Sequence, residues 1–258
     1  PQTGLTLEEI KLAADLIISN KKIIICWAMG LTQHKNSVDN IREIVNILLL
    51  KGSIGKKGAG TCPVRGHSNV QGDRTMGIWE KMPDTFLDKI DTEFNFESPR
   101  KHGFDVVNSI KAMHDKRAKV FFGMGGNFVS ATPDTEFTAE GLRNCNLTVH
   151  VSTKLNRSHL IHGKKALILP CLGRSEKDFQ TSGEQFISVE NSMGIVHKSQ
   201  GHLEPCSEDL LSEPAIVAGL AKATLKKTSV NWDKMISNYD FIRDKIATII
   251  PGFKNYNQ

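Results

Sequence analysis

The stretch Gly58–Gly77, GAGTCPVRGHSNVQGDRTMG, organises the reading of the whole chain. Its few apolar residues follow neither a twofold alternation nor a 3.6-residue period, so neither a half-buried strand nor an amphipathic helix is expected there. Polar, glycine-rich sequence gains little from packing. Glycine lacks the Cβ that keeps a backbone away from a ligand, so the stretch is expected to be a backbone-rich loop held against one. An α/β unit stands on each side of it, and each unit has a strand running into a glycine loop. The layout predicts nucleotide-type lobes joined by a polar seam.

Upstream, Thr6 and Glu9 have the spacing of a capping box for a helix over 6–18, with Ile10, Ala13, Ala14 and Ile17 on one face. Ile23–Trp27 is a continuous β-branched run and reads as a buried parallel strand. The loop AMGLTQHKN, 28–36, follows. A helix over 38–50 then carries Val38, Ile41, Val45, Leu48 and Leu49 and ends at Gly52 and Gly55. Downstream, 82–103 contains Pro83, Pro99 and many charges and reads as an irregular surface excursion. A helix is expected over 106–114 and a strand over 120–122. The loop GMGGNFVSATPDT follows, with Pro133 opening the next helix. Strands over 147–151 and 166–169 complete a parallel α/β pattern. The turn Asn191-Ser192-Met193-Gly194 predicts a hairpin between 185–189 and 195–198. Helices over 212–225 and from Asn231 to Ile249 end the pattern.

Composition narrows the function. The 258 residues are 39% hydrophobic and 24% charged, an ordinary globular balance. A net charge of +5 suits an anionic ligand. The basic residues are scattered and aromatics are few, which argues against nucleic acid as a partner. The longest apolar run, Ile44–Leu50, is interrupted by Asn46 and falls far short of the ~20 residues a membrane span needs. Five dispersed cysteines without a C-x-x-C pair argue against a disulfide framework, a structural zinc or an iron–sulfur site held by this segment alone, and they point to a reducing, cytoplasmic location. The chain opens at Pro1 without an initiator Met, as expected for a piece of a longer protein.

Chemistry is expected where strands meet polar loops. Gly125, Gly126 and Asn127 follow a strand, where backbone N–H groups can meet a diphosphate. The loop is neither a Walker A sequence nor the dinucleotide G-x-G-x-x-G, because Val129 stands at the third glycine. Ser152, Thr153, Lys154 and Asn156, in STKLNR, follow the next strand with hydroxyls, an amide and cations suited to a guanine edge or a phosphate, or simply to a helix cap and solvated charges. Arg65 lies between Val64 and Gly66, near Pro63. Its planar fork of donors matches a carboxylate-like anion. His67 reads as a hydrogen-bond donor rather than a base. Asp73 and Arg74 are expected to pair with each other. Cys62 has no organised base and reads as a spectator. His159 and His162 lack the partners of a zinc set, so no metal ligand is assigned.

The runs AMGLTQHKNSVDNIREIVNILLLKGSIGKKGAG and PVRGHSNVQGDRTMG, then GMGGNFVSATPDT, STKLNRSHL, ALILPCLGRSEKD and ENSMGIVHKSQGHLEP in that order, resemble the molybdopterin oxidoreductases. The formate-dehydrogenase-like catalytic (alpha) subunits are the branch they resemble most, and the likeness covers about Leu5 to Phe253. The resemblance implies an internal fragment of a longer subunit, with open, mostly parallel sheet lobes of the formate dehydrogenase/DMSO reductase type. It implies two molybdopterin guanine dinucleotides on one molybdenum or tungsten. Met29, Gly30, Thr32, Gln33 and Gly66 would line one of the two cofactors, and Gly125, Gly126, Asn127, Ser152, Thr153, Lys154 and Asn156 the other. Arg65 would orient a small anionic substrate such as formate, and His67 would hydrogen-bond near the metal. The metal-ligating cysteine or selenocysteine, any 4Fe–4S cluster and the contacts to an electron-transfer subunit would belong to the parent, upstream of Pro1 or beyond the chain. On this basis residues 1–72 form part of a first molybdopterin-binding lobe with the polar hinge, 73–182 a second lobe, and 183–258 a hairpin with C-terminal helices. The isolated fragment is expected to be inactive. The alternative is a non-catalytic nucleotide-binding or interaction module, since such lobes also resemble the central domains of thiamine-diphosphate enzymes.

Overall fold

The structure, a computed structural model, describes residues 3–257. The chain divides into two units. One takes residues up to Gly72 together with Glu190–Val196, and the other takes Asp73–Val189 with His197 onward.

In the first unit, helix α1 (Leu7–Ser19) starts at Thr6, and both halves of the capping box form: Glu9 N–H donates to the Thr6 hydroxyl and Thr6 N–H to the Glu9 carboxylate. Strand β1 (Ile24–Trp27) leads to a single helical turn, α2 (Met29–Thr32), and then to α3 (Ser37–Leu50). Leu48 of α3 is fully buried, whereas Val38 and Leu49 of the expected face are exposed. Strand β2 (Gly60–Pro63) pairs in parallel with β1. The expectation of a featureless seam is therefore corrected: its first third is a strand, and Val70–Thr75 is a short helix, α4. Periodicity missed β2 because a four-residue edge strand is fixed by backbone pairing to β1, not by an alternating side-chain pattern. The expected burial of β1 is also corrected, since Ile24 and Cys26 are exposed.

In the second unit, half of 82–103 is helical rather than irregular, while 95–103 keeps the irregular course expected. Helix α5 (Asp84–Phe94) starts just after Pro83, which caps it, and ends at Asn95 in the left-handed conformation. The acidic residues that suggested a loop, Asp84, Asp88 and Asp91, instead gather around Arg100, with Asp91 Oδ2 at 2.5 Å from its Nη2. Helix α6 (Val106–His114) precedes β3 (Val120–Met124). After the turn α7 (Phe128–Ala131), α8 (Thr135–Arg143) is capped by Asp134, whose carboxylate accepts from Phe137 N–H at 3.0 Å. The helix thus starts past Pro133, because the aspartate cap outcompetes proline for the start. Strands β4 (Leu147–Ser152) and β5 (Lys165–Pro170) complete a three-stranded parallel sheet in the order β3-β4-β5. Its central strand is buried from Thr148 to Ser152. Ile110, Met113, Val129, Ala139, Leu142 and Cys145 form the core on the helices packed beside it.

Beyond the sheet, a small antiparallel hairpin, β6 (Asp178–Gln180) and β7 (Gly183–Gln185), was not foreseen. The expected hairpin is present as β8 (Ile187–Glu190) and β9 (Val196–Ser199), with Asn191 N–H on Ile195 O at 3.0 Å and Gly194 at φ +74°. Helix α9 (Glu213–Thr224) is capped by Ser212. The single C-terminal helix expected from sequence is split into α10 (Trp232–Ser237) and α11 (Asp240–Ile249). Tyr239, buried at the break, explains the split. Its hydroxyl bonds Ser212 Oγ at 2.7 Å and Asp178 Oδ2 at 2.5 Å, and its N–H donates to Gln185 Oε1 at 2.9 Å. Three tertiary hydrogen bonds outweigh one continued helical turn. Among the described residues no helix is long and apolar enough to cross a membrane.

Candidate functional site

The parallel sheet of the second unit delivers two candidate segments to the same edge. β3 runs out into Gly125-Gly126-Asn127, and β4, its neighbour in register, runs out into Ser152–Asn156. Carboxyl ends of parallel strands are where open α/β sheets take ligands, since loops there diverge and helix N-termini converge. Gly125 and Gly126 have φ of +69° and +73°, a region that costs an L-residue on the order of 1 kcal/mol. A Cβ on either would meet no heavy atom within 4 Å, so the space beside the turn is open. Gly125 N–H is used: it donates to Val151 O at 2.7 Å and ties the turn to β4. The N–H groups of Gly126 and Asn127 donate to no group among the described residues.

A second segment clips this turn in place. Asn156 caps a 3-10 turn, Arg157–Leu160: its Oδ1 accepts from Ser158 N–H at 2.9 Å, and its N–H donates to His159 Nδ1 at 2.9 Å. Its Nδ2 reaches across to Gly126 O at 2.9 Å. Ser158 Oγ, buried, accepts from Val129 N–H at 3.0 Å. Asn156, named from sequence as a ligand contact, thus spends its amide on holding the glycine turn. Ser152 likewise donates its hydroxyl to Lys154 O at 2.8 Å. Thr153 and Lys154 are exposed at the rim.

Beneath the turn lies a residue that sequence reasoning passed over. His150 sits on β4 opposite Gly123, only 5% exposed, edge-on to His159 with ring centroids 4.8 Å apart. Its Nε2 is buried without a partner among the described residues. Burial, and then the nearby His159, hold the His150 imidazole below the ordinary histidine range. In the unfolded chain His150 therefore binds its proton at a higher pH than in the fold. Stability follows the difference in bound protons, so His150 favours the fold fully at neutral pH and loses that contribution as pH falls through and below 6.5. The second unit is expected to lose stability between pH 7 and 5, with His150 supplying at most about 1.4 kcal/mol per pH unit. His150→Leu should flatten that part of a urea-midpoint profile, and an unchanged slope would contradict the assignment. The signal in the sequence was an imidazole between Val149 and Val151 within the strand LTVHVS.

In the first unit, β1 leads directly into α2. Met29 and Gln33 face each other, with Gln33 Nε2 3.6 Å from Met29 Sδ. A Cβ at Gly66 would lie 2.7 Å from the Met29 methyl, so this glycine is what admits the side chain. The structure thereby brings Met29, Gln33 and Gly66 together. Gly30 adjoins open space, and Thr32 lines a depression of about 440 Å³ along α3 with Val38, Ile41 and Val45. Arg65 is exposed and donates from Nη2 to Gln71 Oε1 at 2.8 Å. Among the described residues no carboxylate forms an ion pair with it. His67 is exposed, its carbonyl accepting from Val70 N–H at 3.4 Å.

One pairing differs from expectation. Arg74 bonds Ile78 O at 3.1 Å and lies 4.0 Å from Glu80, rather than pairing with Asp73. The short helix points adjacent side chains apart, so i and i+1 do not meet. His159 and His162 serve separate internal bonds, His162 Nδ1 donating to Gly163 O at 2.7 Å. Among the described residues no three His, Cys, Asp or Glu side chains gather as a metal set.

The model of the molybdopterin oxidoreductase family matches residues 6–161, well over half of the chain and including both groups of candidate residues. The chain belongs to the molybdopterin oxidoreductase family. Among its relatives is the uncharacterized oxidoreductase Rv2900c of Mycobacterium tuberculosis, 56% identical over 256 residues, which are 99% of this chain and 33% of that protein. Protein YdeP of Escherichia coli is 46% identical over 256 residues, 99% of this chain and 34% of its own length. Formate dehydrogenase H of Escherichia coli is 40% identical over 84 residues, 33% of this chain and 11% of that protein. The chain thus spans about a third of the length of the full-coverage relatives. As a molybdopterin oxidoreductase it is implied to work with a molybdopterin cofactor and its metal. The residues fit such a group. An open glycine turn with two N–H donors unused among the described residues, clipped from behind by Asn156, suits an anionic, hydrogen-bond-accepting ligand.

Proposed function

We propose that this chain is part of the cofactor-holding core of a formate-dehydrogenase-like oxidoreductase. In this reading the parent enzyme oxidises or reduces a small anionic substrate at a Mo or W centre carried by two molybdopterin guanine dinucleotides. The observation that carries the proposal is the open Gly125–Gly126 turn at the end of β3, braced by the Asn156 amide on Gly126 O at 2.9 Å. Gly126 and Asn127 N–H would meet phosphate oxygens, while Ser152, Thr153, Lys154 and Asn156 build and rim that site. Met29, Gly30, Thr32, Gln33 and Gly66 would line the second of the two cofactors. When bound, the metal–dithiolene group supplies the electron transfer, and the protein supplies position and electrostatics.

Arg65 presents a planar fork with no carboxylate paired to it among the described residues, which supports capture of a carboxylate-like substrate. Formate is the candidate because formate dehydrogenase H is among the matching proteins. His67 would hydrogen-bond near the metal. The segments 1–72, 73–182 and 183–258 are proposed as a first lobe, a second lobe and a trailing hairpin with helices. A 4Fe–4S cluster, an electron-transfer subunit and a cytoplasmic setting are proposed for the parent.

The test is chemical analysis of the intact protein. Acid release should yield the fluorescent pterin together with guanine nucleotide, and metal analysis should find molybdenum or tungsten. Protein without pterin or metal that still bound GDP would replace this reading with a non-catalytic nucleotide-binding module.

A further inference from the structure

Two cysteines that lie far apart in sequence stand side by side on the first unit's sheet. The β1–β2 register pairs Ile24 with Gly60, Ile25 with Thr61, Cys26 with Cys62 and Trp27 with Pro63. In a parallel pair, residues in register point to the same face. Their backbones are separated by about 4.8 Å, inside the ~4.4–6.8 Å Cα range that a disulfide spans. Both thiols are exposed, unlike Cys145 and Cys171, which are buried. No base, metal set or packing role occupies them among the described residues.

We propose that Cys26 and Cys62 are a reversible thiol–disulfide pair that ties the ends of β1 and β2 together. The oxidant is a small-molecule disulfide of the glutathione class. One cysteine thiolate attacks a sulfur of that disulfide, forming a mixed disulfide and expelling one small thiolate. The second cysteine, as thiolate, attacks the protein sulfur of the mixed disulfide and expels the other small thiolate. The protein loses two protons and two electrons, and the small disulfide becomes two thiols. Reduction runs the same exchange backwards.

Geometry favours reversibility. Disulfides bring Cβ atoms to about 3.8 Å, closer than in-register neighbours of a relaxed sheet, so closing the bond pulls the strands together. Strained and exposed disulfides are the ones most easily reduced. The position gives the bond a consequence. Cys26 lies three residues before Met29, and Cys62 three before Arg65, while Val64 N–H already donates to Trp27 O at 2.8 Å. A covalent tie here fixes the spacing of the two strand ends from which α2 and the Arg65 loop depart. Interaction with the Cys62 thiol, with burial and charge repulsion adding, pushes the Cys26 thiol up. Since the thiolate is the nucleophile, exchange should accelerate as pH rises from 7 to 9.

The intact, reduced protein is equilibrated anaerobically with mixtures of reduced and oxidised glutathione, quenched with an alkylating reagent and digested with trypsin. The peptides 23–35 and 58–65 carry the two cysteines. In oxidising mixtures they should appear as one disulfide-linked species, at least tenfold above its level in reduced glutathione, and excess reduced glutathione should reverse it. At least one of Cys26→Ser and Cys62→Ser should trap a glutathione adduct on the cysteine left behind. Recovery of both peptides alkylated, each glutathionylated separately, or joined only between molecules overturns the proposal, as does failure of both variants to trap the adduct.

Discussion

Gly126→Trp is expected to lower the pterin content of the purified intact protein at least tenfold while the fold persists. Two effects act at this position. At φ +73° any L-residue carries backbone strain on the order of 1 kcal/mol, which the alanine variant carries as well. The indole adds bulk, and because a Cβ at Gly126 meets nothing within 4 Å, that bulk enters open space rather than the protein's own packing. Only a ligand occupying that space can be displaced by it. Gly126→Ala should therefore keep most of the pterin, Gly126→Trp should keep little, and the two should melt within a few degrees of each other. Equal pterin in both variants would remove the glycine turn from the cofactor site and leave its openness without a function.

The largest effect on stability is expected at Gly201, outside any candidate site. The chain there crosses over Glu176 so closely that a Cβ would fall 2.0 Å from Glu176 O and 2.3 Å from its carbonyl carbon. Neither strand of this crossing can retreat cheaply. Lys177 N–H donates to Leu203 O at 2.8 Å, and the His202 and Leu203 N–H groups both donate to Ser175 O at 2.9 Å. Gly201→Ala must break some of these bonds or distort the backbone. A loss of about 3 kcal/mol, the upper end of overpacking costs, is expected from the shift of the urea midpoint. Gly219→Ala is the counterpart. Gly219 lies inside α9 with open space around its Cβ position, so alanine should stabilise by roughly 0.5–1 kcal/mol through helix propensity. If both substitutions had the same sign, close backbone approach would not be what fixes Gly201.

Both predictions rest on glycines whose roles look alike in sequence and differ in space. Gly126 and Gly201 each stand in a polar loop after a strand. One has left-handed torsion and empty surroundings; the other lies under a backbone carbonyl. The same holds for the histidines. His150, His159 and His162 are separated by a few residues, yet one is a buried ring with an unpartnered nitrogen, one braces a turn, and one bonds its neighbour's carbonyl.

What the sequence by itself determined was local or carried by long runs of order. Thr6 and Glu9 closed their capping box because both partners lie within one helical turn. The parallel sheet was legible because short strands recur between glycine loops and helices along the chain, a pattern that calls for crossover connections. The family was legible because its motifs fall in order along the chain. The tertiary structure alone decided the rest. It paired β2 with β1, since a four-residue strand is defined by its partner's hydrogen bonds. It split the last helix at Tyr239, since the bonds to Ser212, Asp178 and Gln185 come from residues 27 to 61 positions away. It turned Asn156 toward Gly126 and set Cys26 beside Cys62. In each case the deciding interaction joins groups distant in sequence, and no local preference carries that information.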